Sequence, residues 1–186
     1  MRLKALTLVI AMAALATAAQ AVDLTGKVAP GSVVYVEKIP GKTFPAPTQH
    51  FTLDQRQMQF VPHVLVVPVG ATVDFVNSDN VQHNVFWPSI SGNRRLGNNL
   101  GTWPQGDKRS FTFNNPGVAT LLCNVHSEMS GYIVITPTPY FAVADATGNY
   151  RIANLPDGSY TVTMWHEGTK PLSKTIAVSG NTRLDF

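Results

Sequence analysis

The segment Leu121-Leu122-Cys123-Asn124-Val125-His126-Ser127-Glu128-Met129 holds the only cysteine of this 186-residue chain. His126 and Met129 follow Cys123 at the spacing C-x2-H-x2-M, directly after the apolar run Val118 to Leu122. A thiolate, an imidazole and a thioether are the side chains that bind soft or borderline transition metals. The segment therefore predicts a metal site at the end of a β-strand.

His83 supplies a second imidazole, forty residues before Cys123. Two His, one Cys and one Met are typical of blue-copper electron-transfer sites, in which two His and the Cys lie near one plane and the Met is a weak axial ligand. We therefore predict His83, Cys123, His126 and Met129 as the ligands of one type 1 copper per chain.

Residues 1–21 have the composition of a removable signal peptide. Arg2 and Lys4 form a charged start, an apolar run covers residues 5–19, and Ala19-Gln20-Ala21 fits an A-x-A cleavage site. We predict export to the periplasm, a mature chain beginning at Val22, and no membrane association after the signal is removed.

Removal of Arg2 and Lys4 leaves twelve basic against eleven acidic side chains. The mature chain thus lacks the basic stripe that would indicate nucleic-acid binding. A local cluster remains in a predicted Gly- and Asn-rich loop, and it is either a solvated surface or a docking patch for an acidic partner. Its members are Arg94, Arg95, Lys108 and Arg109.

Cys123 has no second cysteine in the chain with which to form a disulfide. In an exported protein such a residue is free, paired with another chain or bound to a metal. An inert buried thiol is the plain alternative. The neighbouring His126 and Met129 favour the metal-bound form.

Past residue 21, the apolar segments are short, alternate with polar residues and are separated by Gly, Pro and Asn, as in Val64 to Val67 and Thr72 to Val76. No long stretch has the period of an amphipathic helix. This pattern predicts an all-β protein, a sandwich or a barrel.

Residues 69–79, His83-Asn84-Val85, Pro116-Gly117 and residues 123–135 together resemble the cupredoxins, the superfamily of plastocyanin and amicyanin. The resemblance covers roughly residues 57–136 and implies a Greek-key sandwich with His83, Cys123 and His126 as strong copper ligands and Met129 as the axial ligand. It also implies that Asn84 braces the Cys123-Asn124 segment by hydrogen bonds; a plain turn-forming Asn is the alternative. Ser127 departs from the pattern, since relatives often carry Pro there.

Residues 22–40 and 138–186 resemble a carboxypeptidase regulatory-like, transthyretin-like sandwich. The resemblance rests on Asp145 to Ile152 and on Leu155-Pro156-Asp157-Gly158-Ser159-Tyr160. Fewer than fifty residues after 138 are few for an independent core. We therefore predict that the two segments form one small, discontinuous second β-sandwich, with the copper domain inserted as residues 41–137.

The predicted function is single-electron transfer to or from a periplasmic redox protein of unknown identity. A saturated set of His, His, Cys and Met leaves no strong open position for a substrate, so we expect no enzyme. Copper delivery, or an interaction module with structural copper, remain alternatives. The chain lacks the C-x-x-C-H of a c-type haem. Phe86, Trp87 and Pro88 are either an apolar rim for a partner or ordinary core.

Overall fold

A computed structural model describes residues 21–186. The predicted signal peptide, apart from Ala21, lies outside the described residues. Within residues 21–186, no helix is both long enough and apolar enough to cross a membrane.

Nearly all regular structure in residues 21–186 is β-strand, with one short 3-10 turn at Arg94–Leu96. The strands are β1 Ala21–Lys27, β2 Val33–Val36, β3 His50–Arg56, β4 Gln59–Val61, β5 Val64–Pro68, β6 Ala71–Asn77, β7 His83–Trp87, β8 Asn98–Trp103, β9 Lys108–Phe113, β10 Gly117–Leu122, β11 Ser130–Thr136, β12 Phe141–Val143, β13 Asn149–Pro156, β14 Gly158–Trp165, β15 Leu172–Val178 and β16 Thr182–Arg183.

The strands form four sheets. Sheet I has the order β13-β1-β16, sheet II β12-β2-β14-β15, sheet III β5-β11-β10-β7-β8 and sheet IV β4-β3-β6-β9. In sheets III and IV several neighbours are distant in sequence, such as the parallel pairs β5–β11 and β3–β6. Sheets III and IV make a larger sandwich, and sheets I and II make a smaller one.

Alternating side chains fill the core of the larger sandwich. In β6, Val73 and Phe75 point inward and are fully buried, and Ile133 and Ile135 of β11 do the same from the facing sheet. Strands place every second side chain on one face, so these runs fix which face of each sheet meets the other.

The core of the smaller sandwich combines both ends of the described chain. Leu24 of β1 and Val34 of β2 are buried with Ile152 of β13 and Val162 of β14. Strand β1 is paired with β13, and β2 lies between β12 and β14. The assignment of residues 22–40 and 138–186 to a separate discontinuous domain stays a prediction, because it depends on how the pieces fold alone.

A third apolar layer joins the two sandwiches. Val66 and Val134 lie on the outer face of sheet III and pack with Val33 and Trp165 on the outer face of sheet II. Tyr132 contacts Trp165 with ring centroids 5.2 Å apart. Sheet III is therefore covered on both faces, which is why β11 is apolar at consecutive positions rather than at alternate ones.

Two expectations about local structure were incomplete or wrong. Strands β3 and β4 were not predicted from the sequence, because Gln, Arg and Asp interrupt their apolar residues. The prediction that all four basic residues lie in one loop is partly wrong, because β8 and the start of β9 lie within that segment. Gly and Asn in β8 obscure a strand that is held by pairing with β7.

We expect Trp165→Ala to lower the free energy of unfolding by about 3–5 kcal/mol, because the side chain fills the layer between the sandwiches. Urea denaturation measures the change. Leu172→Ala is the control, since Leu172 is 52% exposed and its loss should cost less than about 0.5 kcal/mol. Equal stabilities for the two variants would contradict the described interface.

Candidate metal centre

The candidate metal centre lies where β7 begins and β10 ends. These strands are antiparallel neighbours in sheet III, with Leu122 opposite Phe86. His83 is the first residue of β7, and Cys123 follows the last residue of β10. The pairing therefore brings together two side chains that are distant in the sequence.

His83, Cys123 and His126 form a group in which one ligand atom from each lies within 4.8 Å of the others. The Nδ1 atoms of the two imidazoles are 3.0 Å apart, and the Cys123 Sγ atom is 4.0 Å from His83 Nδ1. His83 and Cys123 are buried, while His126 is half-buried. This group could hold a metal ion, and its donor set of two imidazoles and one thiol fits copper.

Met129 ends the same loop, immediately before β11. Its side chain is buried in the core of the larger sandwich, and its N–H donates to the carbonyl of His126 at 3.1 Å. The second half of the loop, from His126 to Met129, is thus a turn closed by a backbone hydrogen bond. The role of Met129 as a ligand, like that of the three other residues, stays a prediction.

Asn84 joins the two segments that carry the ligand atoms. Its side-chain Oδ1 accepts from the Asn124 N–H at 3.2 Å, and its own N–H donates to Cys123 Sγ at 3.4 Å. Its Nδ2 donates to Asn99 Oδ1 and to the Gly101 carbonyl, at 2.9 and 2.7 Å. The predicted bracing of the Cys123-Asn124 segment by Asn84 is confirmed, and the plain turn-forming role is wrong.

Gln55 is a buried residue near the centre whose role was not predicted from the sequence. Its Nε2 donates to the Asn84 carbonyl at 3.2 Å, so it supports the start of β7 from sheet IV. Its Oε1 is buried without a hydrogen-bond partner among residues 21–186, and so is the Nε1 of Trp103, which pairs with His83 across β7 and β8. Because β3 was not predicted from the sequence, no pattern indicated that Gln55 is buried next to β7.

Asp79 also lies against the centre, in a role that was not predicted from the sequence. Its Oδ2 accepts from His83 Nε2 at 2.8 Å and from the Met58 N–H at 2.9 Å, and its Oδ1 accepts from the Gln57 N–H at 2.6 Å. Burial raises the pKa of the Asp79 carboxyl, but the hydrogen bonds from Met58, His83 and Gln57 outweigh it, so the pKa lies below its ordinary value. Asp79 is therefore ionised at neutral pH.

Three exposed apolar residues, Met58, Val81 and Val125, lie on segments next to the candidate ligands and are called the apolar rim from here on. Val125 lies between Cys123 and His126 and is 48% exposed, Met58 is 45% exposed, and Val81 is 37% exposed. Met58 belongs to the β3–β4 turn that binds Asp79, and Val81 precedes His83 by two residues. By contrast Trp87 is buried against Phe111 and Phe113, so for this residue the core alternative is the correct one.

The four basic residues are partly engaged elsewhere. Lys108 forms an ion pair with Asp74 at 2.8 Å, and its hydrogen bond, with that of Ser110, lowers the pKa of Asp74 to about 2. The Arg109 guanidinium lies 5.5 Å from the centroid of the Trp103 ring. Arg94 and Arg95 are exposed on the 3-10 turn. The docking-patch alternative stays a prediction.

Comparison with known proteins found a matching family and several similar solved structures. Residues 47–136 match the family described as copper binding proteins, plastocyanin/azurin family. No curated protein sequence matches the chain. Among solved structures, a reduced amicyanin variant is similar at 23% identity and a TM-score of 0.43, over 48% of this chain and 85% of that one.

Two further solved structures are similar. The Cu(I) form of another amicyanin variant has 24% identity and a TM-score of 0.43, over 53% of this chain and 96% of that one. A copper-containing nitrite reductase from Thermus scotoductus SA-01 has 26% identity and a TM-score of 0.44, over 53% of this chain and 25% of that one.

Residues 47–136 therefore have the cupredoxin fold, and they match the model of the copper-binding plastocyanin/azurin family. The predicted fold class, an all-β chain with a cupredoxin sandwich and a small second β-sandwich, is confirmed.

We expect Asn84→Ala to lower the free energy of unfolding by about 1–3 kcal/mol, because it leaves the Asn124 N–H and the Gly101 carbonyl without their partner. Denaturant unfolding of the metal-free protein measures the loss, and hydrogen exchange at the Asn124 amide should become faster. Asn115→Ala, at an exposed position, is the control. An unchanged exchange rate at Asn124 would contradict the described bridge.

Proposed function

We propose that this protein is a type 1 copper protein that carries single electrons between redox partners in the periplasm. The observation that carries the proposal is the convergence of His83 Nδ1, His126 Nδ1 and Cys123 Sγ in one largely buried group. His83, Cys123 and His126 would hold the ion, with Met129 as the fourth, weaker ligand. The bound metal would supply the Cu(II)/Cu(I) couple.

The residues around the centre favour electron transfer, because they restrict movement of the ligands. His83 is fixed by Asp79, Cys123 accepts a hydrogen bond from the Asn84 N–H, and the ligand loop is tied to Asn84 through Asn124. A site that keeps one geometry in both oxidation states needs little reorganisation when the electron moves. Rigid support of this kind is therefore what a carrier requires.

The donor set supports a carrier rather than an enzyme. Two imidazoles and one thiolate would occupy the strong coordination positions, with the thioether as a weaker fourth donor, whereas catalytic metal sites keep one position for water or substrate. The exposed part of the centre is the His126 side, next to Val125. Electrons would enter and leave there, at the contact with the partner.

The periplasmic location rests on the signal-like residues 1–21 and on a single thiol that is buried rather than exposed. Burial protects Cys123 from oxidation in an oxidising compartment. The partner is proposed to be another exported redox protein.

Visible and electron paramagnetic resonance spectra after addition of one equivalent of Cu(II) test the copper assignment. We expect an intense blue band with narrow copper hyperfine splitting, because the Cys123 thiolate donates charge to Cu(II). Cys123→Ser should abolish the band, and Met129→Leu should keep it while shifting the reduction potential. Full colour in Cys123→Ser would refute the assignment, and a colourless wild type would favour copper delivery or a structural role.

The apolar rim of Met58, Val81 and Val125 is proposed as the surface on which the partner docks. Electron self-exchange between two copies of the protein, measured by nuclear magnetic resonance line broadening, tests this without a known partner. We expect Val125→Lys to slow self-exchange roughly tenfold or more, since it places like charges against each other.

Val143→Lys is the matched control, because Val143 is 51% exposed and lies in β12 of the smaller sandwich. Its self-exchange rate should equal that of the wild type. An equal reduction in both variants would show a general effect of charge and would contradict docking at the rim.

A further inference from the structure

Asp79 lies four residues before His83. It contacts the imidazole nitrogen Nε2, which is on the opposite edge of the ring from the candidate ligand atom Nδ1. The Asp79 Oδ2 atom is 2.8 Å from His83 Nε2, while His83 Nδ1 faces His126 and Cys123. His83 is fully buried, and the side chain of Asp79 is only 14% exposed. Solvent therefore competes little for this contact.

A turn holds the carboxylate in place. Gln57 and Met58 are the two residues between β3 and β4, both have positive φ angles, 53° and 56°, and both N–H groups donate to Asp79. Such a turn favours Gly or Asn, so a Gln-Met pair in this conformation indicates a specific use of its N–H groups. The Asp79 N–H in turn donates to Asn77 Oδ1 at 2.9 Å.

A carboxylate can only accept hydrogen bonds, so the proton of neutral His83 resides on Nε2 and the lone pair of Nδ1 faces His126 and Cys123. The geometry points to Asp79 as the positioning residue of the metal centre: it fixes the tautomer and orientation of His83 and makes its Nδ1 a stronger donor. This inference rests on the proposed copper function, which it deepens.

The charge of Asp79 also bears on the redox couple. A carboxylate hydrogen-bonded to a ligating imidazole increases the basicity of that ligand. The added negative charge favours Cu(II) over Cu(I), so Asp79 lowers the reduction potential. The hairpin that carries Met58 of the apolar rim is thereby linked to the potential of the metal through two hydrogen bonds.

Two variants separate charge from positioning. Asp79→Asn keeps an acceptor for His83 Nε2 and removes the charge, so the reduction potential should rise; a tenfold preferential loss of Cu(II) affinity corresponds to about 59 mV for one electron. Asp79→Ala removes both features, and its affinity for Zn(II), a redox-inactive probe, should fall about tenfold to a hundredfold.

Asp107→Asn is the matched control. Asp107 is exposed in the adjacent β8–β9 turn, and its backbone carbonyl accepts from the Asn77 N–H. Asp107→Asn removes the same formal charge as Asp79→Asn. Its Zn(II) affinity and potential should stay at the wild-type values. Wild-type Zn(II) affinity in Asp79→Ala, or an equal shift of potential in Asp79→Asn and Asp107→Asn, would overturn the inference.

The wild-type protein gives an independent readout that requires no variant to fold. In the nitrogen-15 spectrum of the metal-free protein, we expect the proton of the His83 ring on Nε2, in slow exchange with water. A His83 ring protonated on Nδ1 alone would overturn the inference. These measurements need no copper colour, so a wild type that binds Zn(II) but never turns blue would refute the proposed function and still decide the role of Asp79.

Discussion

The hydrogen bonds of Asn84 are the interaction on which the metal centre depends. One residue at the start of β7 binds the Cys123 sulfur through its N–H, the Asn124 N–H through its side-chain oxygen, and the β8 segment through its side-chain nitrogen. These hydrogen bonds connect the two strand ends that carry His83 and Cys123, and they restrict the conformations open to the ligand loop.

Contacts from the surrounding sheets and turns also hold the candidate ligands in place. Gln55 of sheet IV supports the Asn84 carbonyl, and Asp79, held by the β3–β4 turn, supports His83 from the other side. Sheet III is covered on its outer face by Trp165 and Val33 of the smaller sandwich. That layer stabilises β11, which closes the ligand loop after Met129. The smaller sandwich thus contributes to the rigidity of the sheet, although it lies away from the group of ligand atoms.

Much of this arrangement could be predicted from the sequence, because short local patterns of residues determine it. Alternating runs such as Val73 and Phe75 specify strands, and the C-x2-H-x2-M spacing specifies a short loop with three donor side chains. Asp79 and Gln55 could not be predicted in their roles. Asp79 acts through a contact that only the folding of the loop before β7 creates, and Gln55 lies in a strand whose charged and amide residues hide its period. The apolar rim of Met58, Val81 and Val125 combines three separate segments, so no local sequence pattern predicts it. The aromatic Trp87, which the sequence offered as a rim residue, belongs to the core.

Copper K-edge X-ray absorption of the loaded protein, recorded in the Cu(II) and Cu(I) states, tests the central claim most directly. The account predicts one short copper–sulfur distance and two imidazole nitrogens in both states, with little change between them, because Asn84 and Asp79 hold the donors in place. A copper ion surrounded only by nitrogen and oxygen, or a coordination shell that loses a ligand when the ion is reduced, would contradict it.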